Sequence, residues 1–441
     1  MGRLFGTDGI RGVAGEELSA DLARRVGAAA VQTLRGHGDR KPTVVVGRDT
    51  RASGPMLEEA LADGIRSAGG DALLAGVQTT PAVAFLTVDL GASSGVVISA
   101  SHNPPEYNGI KLFGGEGYKL SDELEEEIEA AVRATPRAGS PGDVRSVPDA
   151  TDRYVTHLVG AAERDLGGMR VVVDCANGAA SEAAPETLRR LGADVVPIFD
   201  RPDGTNINVV CGAMHPEVVA KAVLEQGAAA GVAHDGDADR ALFAGPGGEA
   251  IDGDFVLAAG ALALQRRGAL TGDTVVTTVM ANVGFHRAMR EAGVEVVTTK
   301  VGDRFVLEEM LRRGAVLGGE QSGHVIFSDY ATTGDGILTA VKLLSFAAEA
   351  GEPVDRFVAV MERFPQVLVN VDVRDRDGLD DADDVWEAVR GAEAALGDRG
   401  RVLVRPSGTE QLVWVMVEAE TEDEAERHAR SIADRVRTRL S

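Results

Sequence analysis

Cysteine is nearly absent. Cys175 and Cys211 are the only two in 441 residues, and they lack the spacing of a thiolate metal site or a disulfide framework. This suits a reducing compartment, and the expected location is cytoplasmic. Aromatic residues make up only 4% of the chain against 44% hydrophobic residues, so its cores must be layers of Val, Leu and Ala rather than clusters of large rings. Positive charge is also scarce: 45 Lys and Arg stand against 69 Asp and Glu, a net charge of -24, with no long basic run. Such a surface repels nucleic acid and anionic membrane, and neither is an expected partner. No apolar run is long enough to span a bilayer, and 255–264 reads as a buried helix. The start after Met1 is polar and glycine-rich, unlike a secretory leader. No early G-x-G-x-x-G follows a strand, which disfavours a dinucleotide-dependent dehydrogenase.

What the chain does have is length for three or four domains and 54 glycines for tight turns and close backbone approaches. A unit recurs through its first three quarters. It begins with Thr43-Val44-Val45-Val46-Gly47, again with Arg170-Val171-Val172-Val173-Asp174, and again with Thr274-Val275-Val276-Thr277-Thr278. Helices are predicted at 57–67, 182–191 and 285–291, each with a glycine stop signal near its end. A third strand in each unit runs into a polar loop, over 95–101, 231–239 and 316–323. Strand and helix alternating in this way predicts an α/β fold class with three similar mixed-sheet domains, whose loops lie at strand carboxyl ends where such folds bind ligands. From 367 the order changes to strand, helix, hairpin, helix, a smaller C-terminal α+β domain. The predicted domains are 1–150, 151–252, 253–366 and 367–441, with the Pro, Gly and Ser-rich segment 135–148 as the clearest boundary.

Two loops carry the chemistry. In Asp235-Gly236-Asp237-Ala238-Asp239-Arg240 the alternating carboxylates are expected to share one side of an extended loop, a crowding of hard oxygen ligands that calls for a cation, with Mg²⁺ favoured where a phosphate is also present. The EF-hand reading fails, because Arg240 stands where that loop needs glycine and Pro246 where it needs glutamate. A solvated acidic turn is the alternative. The second loop, Ser99-Ala100-Ser101-His102-Asn103-Pro104, offers Ser101, which as a phosphoserine donates its phosphoryl group without needing activation as a nucleophile. A turn-forming or capping serine is its alternative. His102 does not make a nucleophile pair by adjacency, and no G-x-S-x-G surrounds it. Lys111 can return to the same loop as a general acid or base. Arg11, Arg48, Lys111, Arg240, Lys300, Arg304 and Arg405 sit near turns or strand ends, where convergence would make a positive hole suited to a small anion.

With these motifs in order, the chain resembles the α-D-phosphohexomutase superfamily and, within it, the bacterial phosphoglucosamine mutases. The resemblance spans essentially the full length: Phe5 to Gly12, Gly47-Arg48-Asp49-Thr50-Arg51, the Ser101 loop, Asn108-Gly109-Ile110-Lys111, the Asp235 loop, Gly319-Glu320-Gln321-Ser322-Gly323-His324, and Arg405-Pro406-Ser407-Gly408-Thr409-Glu410. It implies four domains around a central cleft, the last a lid hinged near 364–367. It implies Mg²⁺ held by Asp235, Asp237 and Asp239 with the phosphorylated Ser101, and a catalytic glucosamine or glucose 1,6-bisphosphate as activator. The reaction implied is interconversion of glucosamine 6-phosphate and glucosamine 1-phosphate, by a monomer or homodimer. Arg11 and Lys111 then serve proton transfer and electrostatics, with His102 and Arg240 beside them. Lys300, Arg304, Glu320, Ser322 and His324 face the hexosamine phosphate, and Arg405, Ser407, Gly408 and Thr409 clamp its distal phosphate. The chain departs from the pattern at Gln411 and Trp414, where proline and arginine are usual, and at Val209 and Val210, where a polar pair is usual. A divergent enzyme acting on a modified sugar phosphate is the alternative these departures raise, with a noncatalytic sugar-phosphate binder behind it.

Overall fold

The computed structural model describes residues 4–6, 8–39, 41–134, 140–406 and 411–440. By packing, the chain forms two compact units, one from 1–280 with 294–360 and the other from 281–293 with 361–441. The second unit therefore includes the helix Val283–Glu291, which is distant in sequence from the rest of it.

Three mixed sheets make up the first unit. In the six-stranded sheet, Thr43–Arg48 pairs in parallel with Asp71–Val77 on one side and Ser94–Ile98 on the other. Ser94–Ile98 then turns back into antiparallel Tyr107–Gly114. The five-stranded sheet repeats this plan: Arg170–Asp174 pairs in parallel with Ala230–His234, which turns back into antiparallel Ala241–Ala244. So does the four-stranded sheet, where Thr274–Thr278 pairs with Leu317–Gly319, and Leu317–Gly319 with antiparallel Val325–Phe327. In all three sheets the loop singled out from sequence lies where the parallel run reverses. These loops sit at the carboxyl ends of the parallel strands, where an open α/β sheet binds its ligands.

The loops stop the third strands earlier than the apolar pattern alone suggests. Left-handed backbone at Ser101 (φ 51°), Ala238 (φ 56°) and Gly323 (φ 91°) cannot continue an extended strand. The Asp235 loop is accordingly a turn, closed by an Ala238 N–H bond to the Asp235 carbonyl at 3.1 Å, and not the extended segment expected. Convergence of its carboxylates comes from the turn rather than from strand alternation.

Helix packing follows the composition. Ala23, Val26 and Val31 of the helix Ala20–Gly36 meet Leu57, Leu61 and Ile65 of the helix Gly54–Ser67 in an aliphatic core over the first sheet. The buried helix predicted at 255–264 is Gly253–Arg266, capped by Asp252. Among the described residues no helix is long and apolar enough to cross a membrane.

The second unit is an antiparallel three-stranded sheet, Gln366–Asp372, Leu412–Glu418 and Arg401–Pro406, with the helices Asp383–Leu396 and Glu422–Leu440. Val385, Val413, Val415, Ile432 and Val436 are among the buried aliphatics of its core. The buried Glu418 accepts the Val283 amide at 2.8 Å, tying the helix Val283–Glu291 to this unit.

Candidate active site

The Ser101 and Asp235 loops meet within the first unit. Ser101 is buried, and its Oγ donates to Asp235 Oδ2 at 2.7 Å. His102 Nδ1 lies 3.3 Å from the same Oγ. That places His102 within hydrogen-bond reach of the hydroxyl, as donor or acceptor according to its ring tautomer. Burial and the Arg240 and Arg11 charges push the His102 pKa below its ordinary value, which keeps the ring neutral at pH 7.

Asp235, Asp237 and Asp239 are all buried, and each turns one oxygen to within 4.8 Å of the others. Burial, then the charges of Asp239 and Asp237, push Asp235 well above the usual carboxylate range. Among the described residues Asp237 Oδ1 and Asp239 Oδ1 have no hydrogen-bond partner despite their burial. A buried cluster of three carboxylates, with two of its oxygens left without partners, fits a hard divalent cation such as Mg²⁺.

The remaining oxygens of the cluster are engaged. Thr80 Oγ1 donates to Asp237 Oδ2 at 2.6 Å, and Lys111 Nζ to the same atom at 2.9 Å. Lys111 comes from the strand Tyr107–Gly114 and also lies 3.1 Å from Asp8 Oδ2 and 3.9 Å from Asp239 Oδ2. Burial by itself would lower its pKa, but Asp237, Asp8 and Asp239 outweigh that and hold it as an ammonium. Arg240 lies with Nε 3.8 Å from Asp239 Oδ1 and is likewise held cationic by the carboxylates despite its burial. Arg11 pairs with Asp8.

These groups border a cavity of about 620 Å³, onto which Arg11, His102, Asp239, Arg240, Glu320 and His324 face. A volume of this order holds a small ligand. Glu320 is positioned by the Gly302 N–H at 3.1 Å. His324 is buried with Nδ1 3.8 Å from Asp239 Oδ2, while the Gly334 N–H donates to Nε2 at 3.1 Å, which places the imidazole proton on the side facing Asp239. Arg304 also borders the cavity, but its guanidinium is engaged by Asp122 and, at 2.8 Å, by Glu308. Ser322 is exposed, and Gln321 turns to Asp254 at 3.2 Å. Lys300 is exposed beyond the strand Glu295–Thr299 and does not line the cavity.

In the second unit Arg405 and Trp414 are cross-strand partners, with the guanidinium 4.2 Å from the indole centroid. The unusual Trp414 is therefore a platform for Arg405. Ser407, Gly408 and Thr409 lie outside the described residues.

Sequence reasoning passed over several groups that build the site. Asp8 bridges Lys111, Lys119 at 2.7 Å and Arg11; burial would raise its pKa, yet these cations hold it well below the usual range. Asp49 and Arg51 form a fully buried pair at 2.9 Å beneath the serine loop. Asp49 accepts the Ser99 hydroxyl at 2.6 Å, and the Ser101 N–H donates to that hydroxyl at 3.0 Å. The Gly47 to Arg51 motif was the available signal, but nothing in its spacing discloses that the pair faces a loop fifty residues away.

Four family models match the chain in order. They describe the phosphoglucomutase/phosphomannomutase α/β/α domains I, II and III over residues 2–138, 152–248 and 252–364, and the C-terminal domain over 368–435. Fold and site thus define an α-D-phosphohexomutase. Phosphoglucosamine mutase from Desulforudis audaxviator is 54% identical over 428 residues, covering 96% of this chain and 95% of that one. The protein of the same name from Rhodococcus opacus is 53% identical over 443 residues, covering 99% of each. A crystal structure of a phosphoglucomutase/phosphomannomutase family protein from Burkholderia thailandensis superposes with a TM-score of 0.83 at 29% identity, covering 99% of this chain and 97% of that one. The chain belongs to the bacterial phosphoglucosamine mutases of this superfamily.

Proposed function

We propose that the protein interconverts α-D-glucosamine 6-phosphate and α-D-glucosamine 1-phosphate through a phosphorylated Ser101 and a 1,6-bisphosphate intermediate. The observation that carries this reading is the 2.7 Å contact between Ser101 Oγ and one of three clustered, buried carboxylates. A serine that only capped a turn would not need to face a buried carboxylate of a three-aspartate cluster.

In the forward direction the sugar C1 hydroxyl attacks the phosphorus on Ser101 and the P–Oγ bond breaks; the proton lost from the C1 oxygen is matched by one taken up at Ser101 Oγ, and the bisphosphate forms. After the bisphosphate turns over, the Ser101 hydroxyl gives up that proton and takes the phosphoryl group from C6, whose oxygen leaves as the hydroxyl. The chemistry a bound Mg²⁺ supplies is charge neutralisation on the transferring group. Lys111, fixed as an ammonium between Asp237 and Asp8, and Arg11 offset charge on the phosphoryl oxygens, while Arg240 holds the Asp239 end of the loop. His102 supplies an N–H to the departing serine oxygen. Glu320, Ser322 and His324 are assigned to the sugar, with Lys300 and Arg304 as outer cations. Arg405 with the 407–409 turn is assigned to the phosphate that is not reacting. Residues 1–150 carry the phosphoserine, 151–252 the metal loop, 253–366 the sugar loop and 367–441 the phosphate turn. Glucosamine or glucose 1,6-bisphosphate primes Ser101.

The test is phosphorus NMR of the Mg²⁺-loaded, Ser101-phosphorylated protein given glucosamine 6-phosphate and catalytic bisphosphate. The glucosamine 1-phosphate resonance should grow to equilibrium and stay absent with folded Ser101→Ala. No product from the phosphorylated wild type sinks the assignment for this substrate.

A further inference from the structure

Three loops meet at the carbonyl of Ser101, and the one contributed by Asn208 belongs to none of the roles assigned above. Arg51 Nη2 donates to the Ser101 carbonyl at 3.0 Å and to the Asn103 carbonyl at 2.8 Å. Asn208 Nδ2 donates to the same two carbonyls, at 2.8 and 3.0 Å. Each nitrogen has two hydrogens and each carbonyl two lone pairs, so the four bonds close with nothing left over. Two facing carbonyls also fix which way the Asn208 amide points, since its oxygen would be repelled there.

The metal loop touches the same place. A Cβ on Gly236 would lie 2.5 Å from the Ser101 carbonyl oxygen and 2.9 Å from Asn208 Nδ2, so only glycine permits this approach between Asp235 and Asp237. The segment that carries Asn208 holds a strained backbone: φ is 60° at Asn208 and 52° at Val210, a β-branched residue whose side chain is exposed and so gains little from packing. Left-handed β-branched residues are outliers that persist where the surroundings impose them, and they point to a function for the segment.

We infer that Asn208 is a positioning residue for phosphoryl transfer. Together with Arg51 it clamps the Ser101 loop in its left-handed form, and through Gly236 it sets the register between Ser101 Oγ and the three aspartates. This rests on the mutase reading. Arg51 grips the loop from within its own sheet domain; Asn208 grips it from the domain that carries the metal loop, so the amide couples the two. Both half-reactions use one serine oxygen, and a shift of that oxygen relative to the carboxylates slows both while leaving the sugar contacts alone.

The test compares wild type with Asn208→Gly, which accepts the positive φ without strain but removes the amide, and with Asn208→Asp, which sets a carboxylate against the two carbonyls. Turnover of glucosamine 6-phosphate should fall roughly ten-fold or more in Asn208→Gly and further in Asn208→Asp, with KM changed by less than about two-fold. Hydrogen exchange of the backbone over 99–107 should quicken in both folded variants, a readout that needs no turnover. Unchanged kcat and unchanged exchange beside an active wild type overturn the inference. An inactive wild type would count instead against the mutase assignment, and the exchange comparison would still decide whether the clamp exists.

Discussion

Ser101 Oγ and Asp235 Oδ2 are hydrogen-bonded at 2.7 Å although they lie 134 positions apart in the chain, and burial, then the charges of Asp239 and Asp237, disfavour the Asp235 carboxylate as an anion. The site is built around charge it cannot hold alone. Asp235→Asn should therefore raise the melting temperature of metal-stripped protein while abolishing mutase activity. Wild type should gain about 2–3 kcal/mol from Mg²⁺ at a hundred-fold excess over its Kd, and the variant far less. Calorimetry with EDTA and with Mg²⁺ measures both, and equal gains in the two proteins would remove the aspartates as the cation's ligands.

Asp335 is buried at the start of the helix Gly336–Ala350, accepting the Leu338 amide at 2.9 Å and the Tyr154 hydroxyl at 2.7 Å. Burial pushes its pKa up to about 6 from 3.8. A carboxyl raised on folding favours the native state most below its unfolded pKa, and this contribution is lost as pH rises from about 4 through 6. At one pKa unit per 1.36 kcal/mol the loss is about 3 kcal/mol. In Asp335→Asn the side-chain oxygen still accepts from Leu338 and the amide can donate to Tyr154. Urea unfolding at several pH values should show a flatter profile for the variant between pH 4 and 6, and parallel profiles would refute the assignment.

Trp414 supports Arg405 from the neighbouring strand. Trp414→Ala removes a contact worth about 0.5–1 kcal/mol at a site of this exposure. KM for glucosamine 6-phosphate should rise two- to five-fold with little change in kcat, as steady-state kinetics would show. An unchanged KM would mean that Arg405 needs no platform.

Val210 keeps an exposed side chain on left-handed backbone. Relief of roughly 1–2 kcal/mol of strain exceeds the extra unfolded-state entropy of glycine, so Val210→Gly should gain about 0.5–1 kcal/mol in chemical denaturation. A loss of stability would show that the side chain packs better than its exposure suggests.

The sequence alone determined the succession of the mixed-sheet domains, the identity of the loops and the clustering of the three aspartates. The reason is local: Val-rich runs broken by glycine specify strands and turns, and three carboxylates spaced two residues apart must fall close together in one short loop. Only the tertiary structure decided that the aspartate loop is a turn, that Lys111 is a fixed charge wedged between Asp237 and Asp8, that Arg304 is already paired with Asp122 and Glu308, and that Trp414 carries Arg405. It also decided that Arg51 and Asn208 share two carbonyls of the serine loop. The Lys111–Asp237, Arg304–Asp122 and Asn208–Ser101 contacts join positions more than a hundred residues apart through charged side chains and backbone carbonyls. Neither has a periodicity or spacing to read, because the partner is chosen by how the sheets pack and not by what lies next in the chain.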